Sequence, residues 1–304
     1  MNTPSTCLNI DAETFRSHFN RRPFLFSHSL SAHPLFQLPR LVQLAKTLDG
    51  RYVEYNAGRI PVSLPNWQDA PHTGLSAEET IRNAVEICSW MVLKRAEHCP
   101  DFKGLLDACL DEIVPLSEPI EPGMCDREAA VFVSSPSSVT PYHMDHEINF
   151  LLQLKGTKTV SVFNADDSTV LSDRELEQYF SGPAVHRNMR FAEEYQQRAT
   201  VFELREGQGL HIPTTAPHWV QNGDTVSVSF SASFKTPVSL RRGNVYRMNA
   251  VLRRLGLDPA PWNRSPVRDR LKDHAYRALR RAHCLPAPPV AASAPDMGGA
   301  LDTA

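Results

Sequence analysis

Residues 140–158 read TPYHMDHEINFLLQLKGTK. His143 and Asp145 stand one residue apart at the head of an apolar run that reads as a β-strand, and Lys158 follows a turn at Gly156. On a strand, residues i and i+2 share a face, so the imidazole of His143 and the carboxylate of Asp145 converge while Met144 points away.

Two ligands do not complete a metal site. A second strand-rich segment, GQGLHIPTTAPHWVQNGD at 207–224, presents His218 at the mouth of a strand, after a turn built by Pro213 and Pro217. Two neutral imidazoles and one carboxylate with open positions form the facial triad suited to non-haem Fe(II) centres that activate oxygen. His146 and His211 are nearby alternatives. His146, next to Asp145, points to the opposite face of a regular strand, and His211 lies within its strand rather than at its end.

Outward from these segments, residues 128–236 carry further short β-branched and aromatic runs, AAVFVSS at 129–135 and TVSVSFSASF at 225–234 among them, divided by Gly, Asn, Asp and Pro. This is the pattern of an all-β barrel or sandwich, with one helical insert, DRELEQYFSG at 173–182. The flanks read as helix. Leu38, Leu41, Leu44 and Leu48 step by three or four, and Ser76 with Glu79 makes a capping box before the periodic positions Ile81, Val85, Ile87 and Met91. Between them GRYVEYNAG at 50–58 alternates like a short strand. Two amphipathic helices are expected over 240–256 and 265–283, with Pro266 in a first turn. The domain reading is therefore a helical segment over 1–120, a β domain over 121–236, C-terminal helices over 237–284, and a Pro/Ala/Gly-rich disordered tail over 285–304.

Acidic and basic residues nearly cancel, 34 against 32, so no overall field favours nucleic acid or an anionic membrane as partner. The six cysteines form no C-x-x-C pair, which argues against a zinc ribbon or redox motif. The N-terminal residues show no basic stretch followed by an apolar one, and a soluble cytoplasmic protein is expected.

The H-x-D pair, the strand ending in Lys155-Gly156-Thr157-Lys158, and Pro213 followed five residues later by His218 resemble, in their joint spacing, the JmjC and cupin-like Fe(II)- and 2-oxoglutarate-dependent oxygenases of the small JmjC hydroxylase type. That resemblance implies a double-stranded β-helix, the jelly-roll of the cupins, with helical N-terminal and C-terminal segments. It implies Fe(II) held by His143, Asp145 and His218, with 2-oxoglutarate as cosubstrate and O2 as oxidant. Lys158 would hold the distal carboxylate of the cosubstrate, Thr140 would contribute a hydroxyl to the same contact, and Asn149 would lie near its metal-binding end. The implied activity is hydroxylation of a C–H bond in a protein side chain or small molecule, with release of succinate and CO2, and a homodimer through the C-terminal helices. The sequence departs from the pattern at His211, where Tyr is usual, and at Gln208, where Asp is usual; Thr215 replaces a Gly of the broader cupin pattern. A metal-binding cupin without turnover, acting as a ligand sensor or interaction protein, is the alternative, and Mn or Zn cupin chemistry a third reading.

Overall fold

The computed structural model describes residues 6–64, 69–71, 73–84, 88–182 and 189–283. The expected tail over 285–304 and the helical positions Val85 and Ile87 lie outside the described residues.

Twelve described strands form two antiparallel sheets. The larger runs β1(Leu8–Asn9), β2(Phe24–His28), β10(Gln208–Ile212), β7(Ile148–Lys155), β12(Ser227–Lys235), β5(Cys125–Ser134), β4(Ser89–Lys94) and β3(Val53–Ala57). The smaller runs β6(Val139–His143), β11(His218–Asn222), β8(Lys158–Val162) and β9(Thr200–Leu204). From β5 onward the strands alternate between the sheets, except that β8 and β9 pair within the smaller one, and they close a double-stranded β-helix, as the resemblance implies. Helices α1(Ala12–His18), α2(Leu38–Thr47), α3(Ala77–Arg82) and α4(Pro100–Ser117) precede this barrel, α5(Asp173–Ser181) interrupts it, and α6(Pro237–Arg254) and α7(Pro266–Arg281) follow it.

Three apolar clusters hold the layers. Phe15 of α1 and Phe19 at its C-cap, Leu41 of α2 and Phe102 of α4 cover one face of the large sheet through Phe150, Leu152, Phe230 and Phe234. Leu151, Val160, Val162, Leu210 and Val220 pack between the sheets. Tyr142, Met144 and Phe163 on the outer side of the small sheet receive Leu176 and Phe180 of α5 and Tyr246 of α6. Strand β7 is thus buried on both faces, which is why its sequence is a nearly unbroken apolar run.

In β12 the alternation is inverted from the usual solvent pattern. Phe230 and Phe234 face the helices, and Ser227, Ser229, Ser231 and Ser233 face the barrel interior, all buried. Ser229 donates to Gln153 Oε1 at 2.7 Å, Gln153 Nε2 to Ser227 at 2.9 Å, and Ser231 to Asn149 Oδ1 at 2.8 Å, so the inner polar wall satisfies itself.

The N-terminal stretch carries its helices but also lends β1–β4 to the large sheet. The helix expected from Ser76 stops at Arg82, and Ser89–Lys94 is a strand. SWMVLK is buried between β3 and β5, and its apolar run over 90–93 is too short to carry a period that separates strand from helix. Among the described residues no helix is long and apolar enough to cross a membrane.

Candidate metal centre

His143 ends β6 and His218 opens β11, and the two are register partners across that ladder, their ring centroids 4.1 Å apart. Asp145 follows two residues after His143, and its Oδ2 lies 3.9 Å from His218 Nε2. One ligand atom from each of the three side chains falls within 4.8 Å of the others.

Each imidazole is oriented by a backbone carbonyl. His143 Nδ1–H donates to Pro141 O at 2.7 Å and His218 Nδ1–H to Ala216 O at 3.0 Å. A carbonyl only accepts, so both rings carry the proton on Nδ1 and present the Nε2 lone pair. The Asp145 backbone is fixed in turn: Thr215 N–H donates to Asp145 O at 2.7 Å, and Thr214 Oγ1 to His146 O at 3.1 Å. Thr215 achieves this with φ 59°, the left-handed region that a β-branched residue adopts only under strain, and its buried Oγ1 has no partner among the described residues.

The two alternative histidines go elsewhere. His146 contacts Tyr179 Oη at 3.1 Å and Glu147 at 2.9 Å. His211 is buried on the helix side of β10, where its Nδ1–H donates to Asn149 O and its Nε2 accepts from Asn20 N–H. Burial pushes its pKa down to about 3, so it is a neutral joint between α1 and the barrel. Trp219 faces the outer side of the small sheet and donates to Gln196 Oε1 at 2.9 Å.

Lys158 opens β8 beyond the turn at Gly156, whose φ of 71° and 2.5 Å clearance from Val226 O admit no side chain. Register pairs Lys158 with Asn222 and Val162 with His218. Lys158, Val160 and Val162 share the inward face, which places the ammonium inside the barrel, four residues along from the triad. It is 5% exposed and has no hydrogen-bond or ion-pair partner among the described residues; desolvation brings its pKa from the usual 10.5 to about 7. The neighbouring Asn222 Oδ1 is likewise buried and unpartnered.

Thr140 also faces inward, opposite Val220, and its oxygen accepts from Trp90 Nε1 at 3.0 Å while its own proton stays free to donate. Asn149, at the triad end of β7, uses Oδ1 for Ser231 and keeps Nδ2 without a partner among the described residues. The six residues named from sequence thus belong to one end-to-end interior. Trp90 and the clamp of Asn20, Thr214 and Thr215 were not legible there, because each acts through a partner distant in sequence.

Residues 76–239 match the family described as the cupin-like domain. No curated protein matches the chain. The X-ray structure of Escherichia coli YcfD is similar at 15% identity over 89% of this chain and 67% of that one, with a TM-score of 0.51. A further structure, of YcfD as a ribosomal oxygenase from E. coli in complex with cobalt and 2-oxoglutarate, is 14% identical over 91% of this chain and 69% of that one, with a TM-score of 0.45. At such identity the first likeness supports the shared fold.

Proposed function

The chain belongs to the cupin-like domain family, and from that membership together with its interior chemistry we propose that it is an Fe(II)- and 2-oxoglutarate-dependent dioxygenase that hydroxylates a C–H bond of a protein side chain or small molecule. The observation that carries this reading is Lys158. A buried ammonium without a partner is expensive, and a cupin that only bound a metal would have no reason to keep one inside its barrel. A small diacid resolves the cost, with one end at the triad and the other on Lys158.

The donor set fits iron: two imidazoles with Nε2 exposed and one carboxylate. Iron with its cosubstrate would supply the oxygen activation that couples oxidative decarboxylation, yielding succinate and CO2, to hydroxylation. The protein's own part is to bind and to orient. His143, Asp145 and His218 hold the metal, with their rings and backbone fixed by Pro141, Ala216 and Thr215. Lys158 takes the distal carboxylate as a charge-assisted pair and Thr140 donates its free proton to the same group. Asn149 Nδ2 supports the metal-binding end. Leu151, Val160 and Val162 keep the intervening wall apolar and so exclude water from the chelate.

Leu255, Leu257, Val267 and Leu271 are 72%, 55%, 67% and 65% exposed on and beside α6 and α7, which supports the homodimer expected through these helices.

Turnover tests the reading. Fe(II)-dependent conversion of 2-oxoglutarate to succinate by the wild type, lost in Asp145→Ala, is expected. Metal bound with no succinate formed, even with candidate substrates present, contradicts it and favours the sensor alternative.

A further inference from the structure

Outside the barrel, where the triad-end loops meet α6, lies a cavity of ≈ 550 Å³. Asn20, Arg21, Thr214, Arg242, Tyr246 and Trp262 are among its lining residues, and neither the triad nor Lys158 is. Asn20, Arg21, Thr214, Arg242 and Trp262 also line a smaller neighbouring cavity of ≈ 250 Å³.

Arg242 is the feature that ordinary packing does not explain. Other arginines of α6 are engaged: Arg253 by Glu177 at 2.8 Å, Arg247 by Phe180 O at 2.9 Å, and Arg241 by Asp273 at 4.0 Å. Arg242 makes no ion pair among the described residues; its guanidinium hydrogen-bonds the Tyr246 hydroxyl, while its buried Nε has no partner among those residues. The acids around it are committed or remote. Glu121 takes Thr236 Oγ1 and Asn20 Nδ2, Asp173 takes the Tyr246 hydroxyl at 3.2 Å, and Asp166 sits exposed on the loop after β8. Desolvation lowers the guanidinium's pKa, so the site strains against its own charge. Arg21 and Arg264, both exposed on the cavity rim, add positive potential.

We propose that this cavity is a second binding site, for a small oxyanion, a carboxylate or a phosphate, seated on the planar donors of Arg242 with Arg21 and Arg264 at its mouth. A guanidinium presents a rigid fork that matches such groups, and Arg242 lines both cavities without a carboxylate paired to it among the described residues. The indole of Trp262 gives the organic part of a carboxylate ligand a flat surface to lie on. The site depends on neither iron nor 2-oxoglutarate, so it stands or falls apart from the proposed activity.

The test titrates the metal-free full chain, at low ionic strength, with inorganic phosphate and separately with benzoate, read by calorimetry and by the thermal midpoint. Saturable binding of one probe is expected, weakened about tenfold or more in Arg242→Gln. Phosphate as the tighter probe identifies a phosphoryl ligand, and benzoate a carboxylate one. Should Arg242→Gln fail to fold by circular dichroism, Arg242→Lys replaces it, since it keeps the charge but loses the fork, and the same weakening is expected. The proposal is overturned by no saturable binding of either probe up to about 10 mM, by equal affinity in the Arg242 variant, or by affinity abolished in Lys158→Ala, which would put the anion in the barrel.

Discussion

Lys158 and His218 lie on neighbouring antiparallel strands with both side chains turned inward, four residues apart in register. At ~3.3 Å per residue their Cα atoms are separated by about 13 Å along the ladder. One end of the interior is therefore a cluster of metal-binding atoms and the other a lone ammonium. Lys158→Ala should retain Fe(II) but weaken 2-oxoglutarate by about 30-fold or more, because a carboxylate loses its charged partner. The 2-oxoglutarate dependence of succinate formation measures this, and an unchanged dependence removes Lys158 from the role.

The same burial makes Lys158 a stability liability in the free protein. With its pKa brought from 10.5 to about 7, the unfolded chain binds a proton that the folded chain lacks between those values, and stability rises with pH across that window. Below about 7 the folded protein bears the whole penalty. Lys158→Met should therefore stabilise the ligand-free protein by roughly 2–4 kcal/mol near and below pH 7, with the gain shrinking as pH climbs toward 10.5. Denaturant melts at several pH values give the difference; a gain independent of pH would contradict the charge argument.

Thr215 is strained in a second way. Its φ of 59° is costly for a β-branched residue and its buried hydroxyl is unpartnered. Thr215→Gly keeps the N–H that holds Asp145 O and removes both costs, offset by glycine's greater chain entropy and one lost methyl. The expected net gain is about 1 kcal/mol, with metal affinity unchanged. A loss of stability in urea unfolding would show that the side chain packs better than its geometry indicates.

Dimerisation through the C-terminal helices predicts a dimer mass by light scattering at micromolar concentration and a monomer when Val267 and Leu271 are both replaced by Glu. A monomer mass for the wild type removes the interface.

The sequence made the barrel and its site readable where short-range periods and fixed spacings carry the information. His143 and Asp145 converge as the strand reading expects, although β6 ends at His143 and Asp145 lies on the connection to β7, and Pro213 with Pro217 marks the turn that brings His218 back to them. The capping box at Ser76 and Glu79 also forms as read. What stayed hidden depends on partners far along the chain. β2, with its phenylalanines alternating FLFSH, was absorbed into a helical reading, and β4 looked like the continuation of α3 until β3 and β5 flanked it. Asn20 shows nothing in sequence beyond a polar residue before two arginines, yet with φ 52° its backbone donates to His211 and its side chain ties Thr214 to Glu121. The serines of β12 form the inner wall, and nothing in the short-range pattern of TVSVSFSASF shows that their partners are Gln153 and Asn149 of β7.

The central claim, a 2-oxoglutarate chelate built on His143, Asp145 and His218 and anchored at Lys158, is tested most directly by anaerobic titration. Wild type and Asp145→Ala are loaded with Fe(II) and titrated with 2-oxoglutarate while the visible metal-to-ligand charge-transfer band is followed. The account predicts a saturable band in the wild type and none in the variant. Iron retained by the wild type with no band on adding 2-oxoglutarate would contradict it.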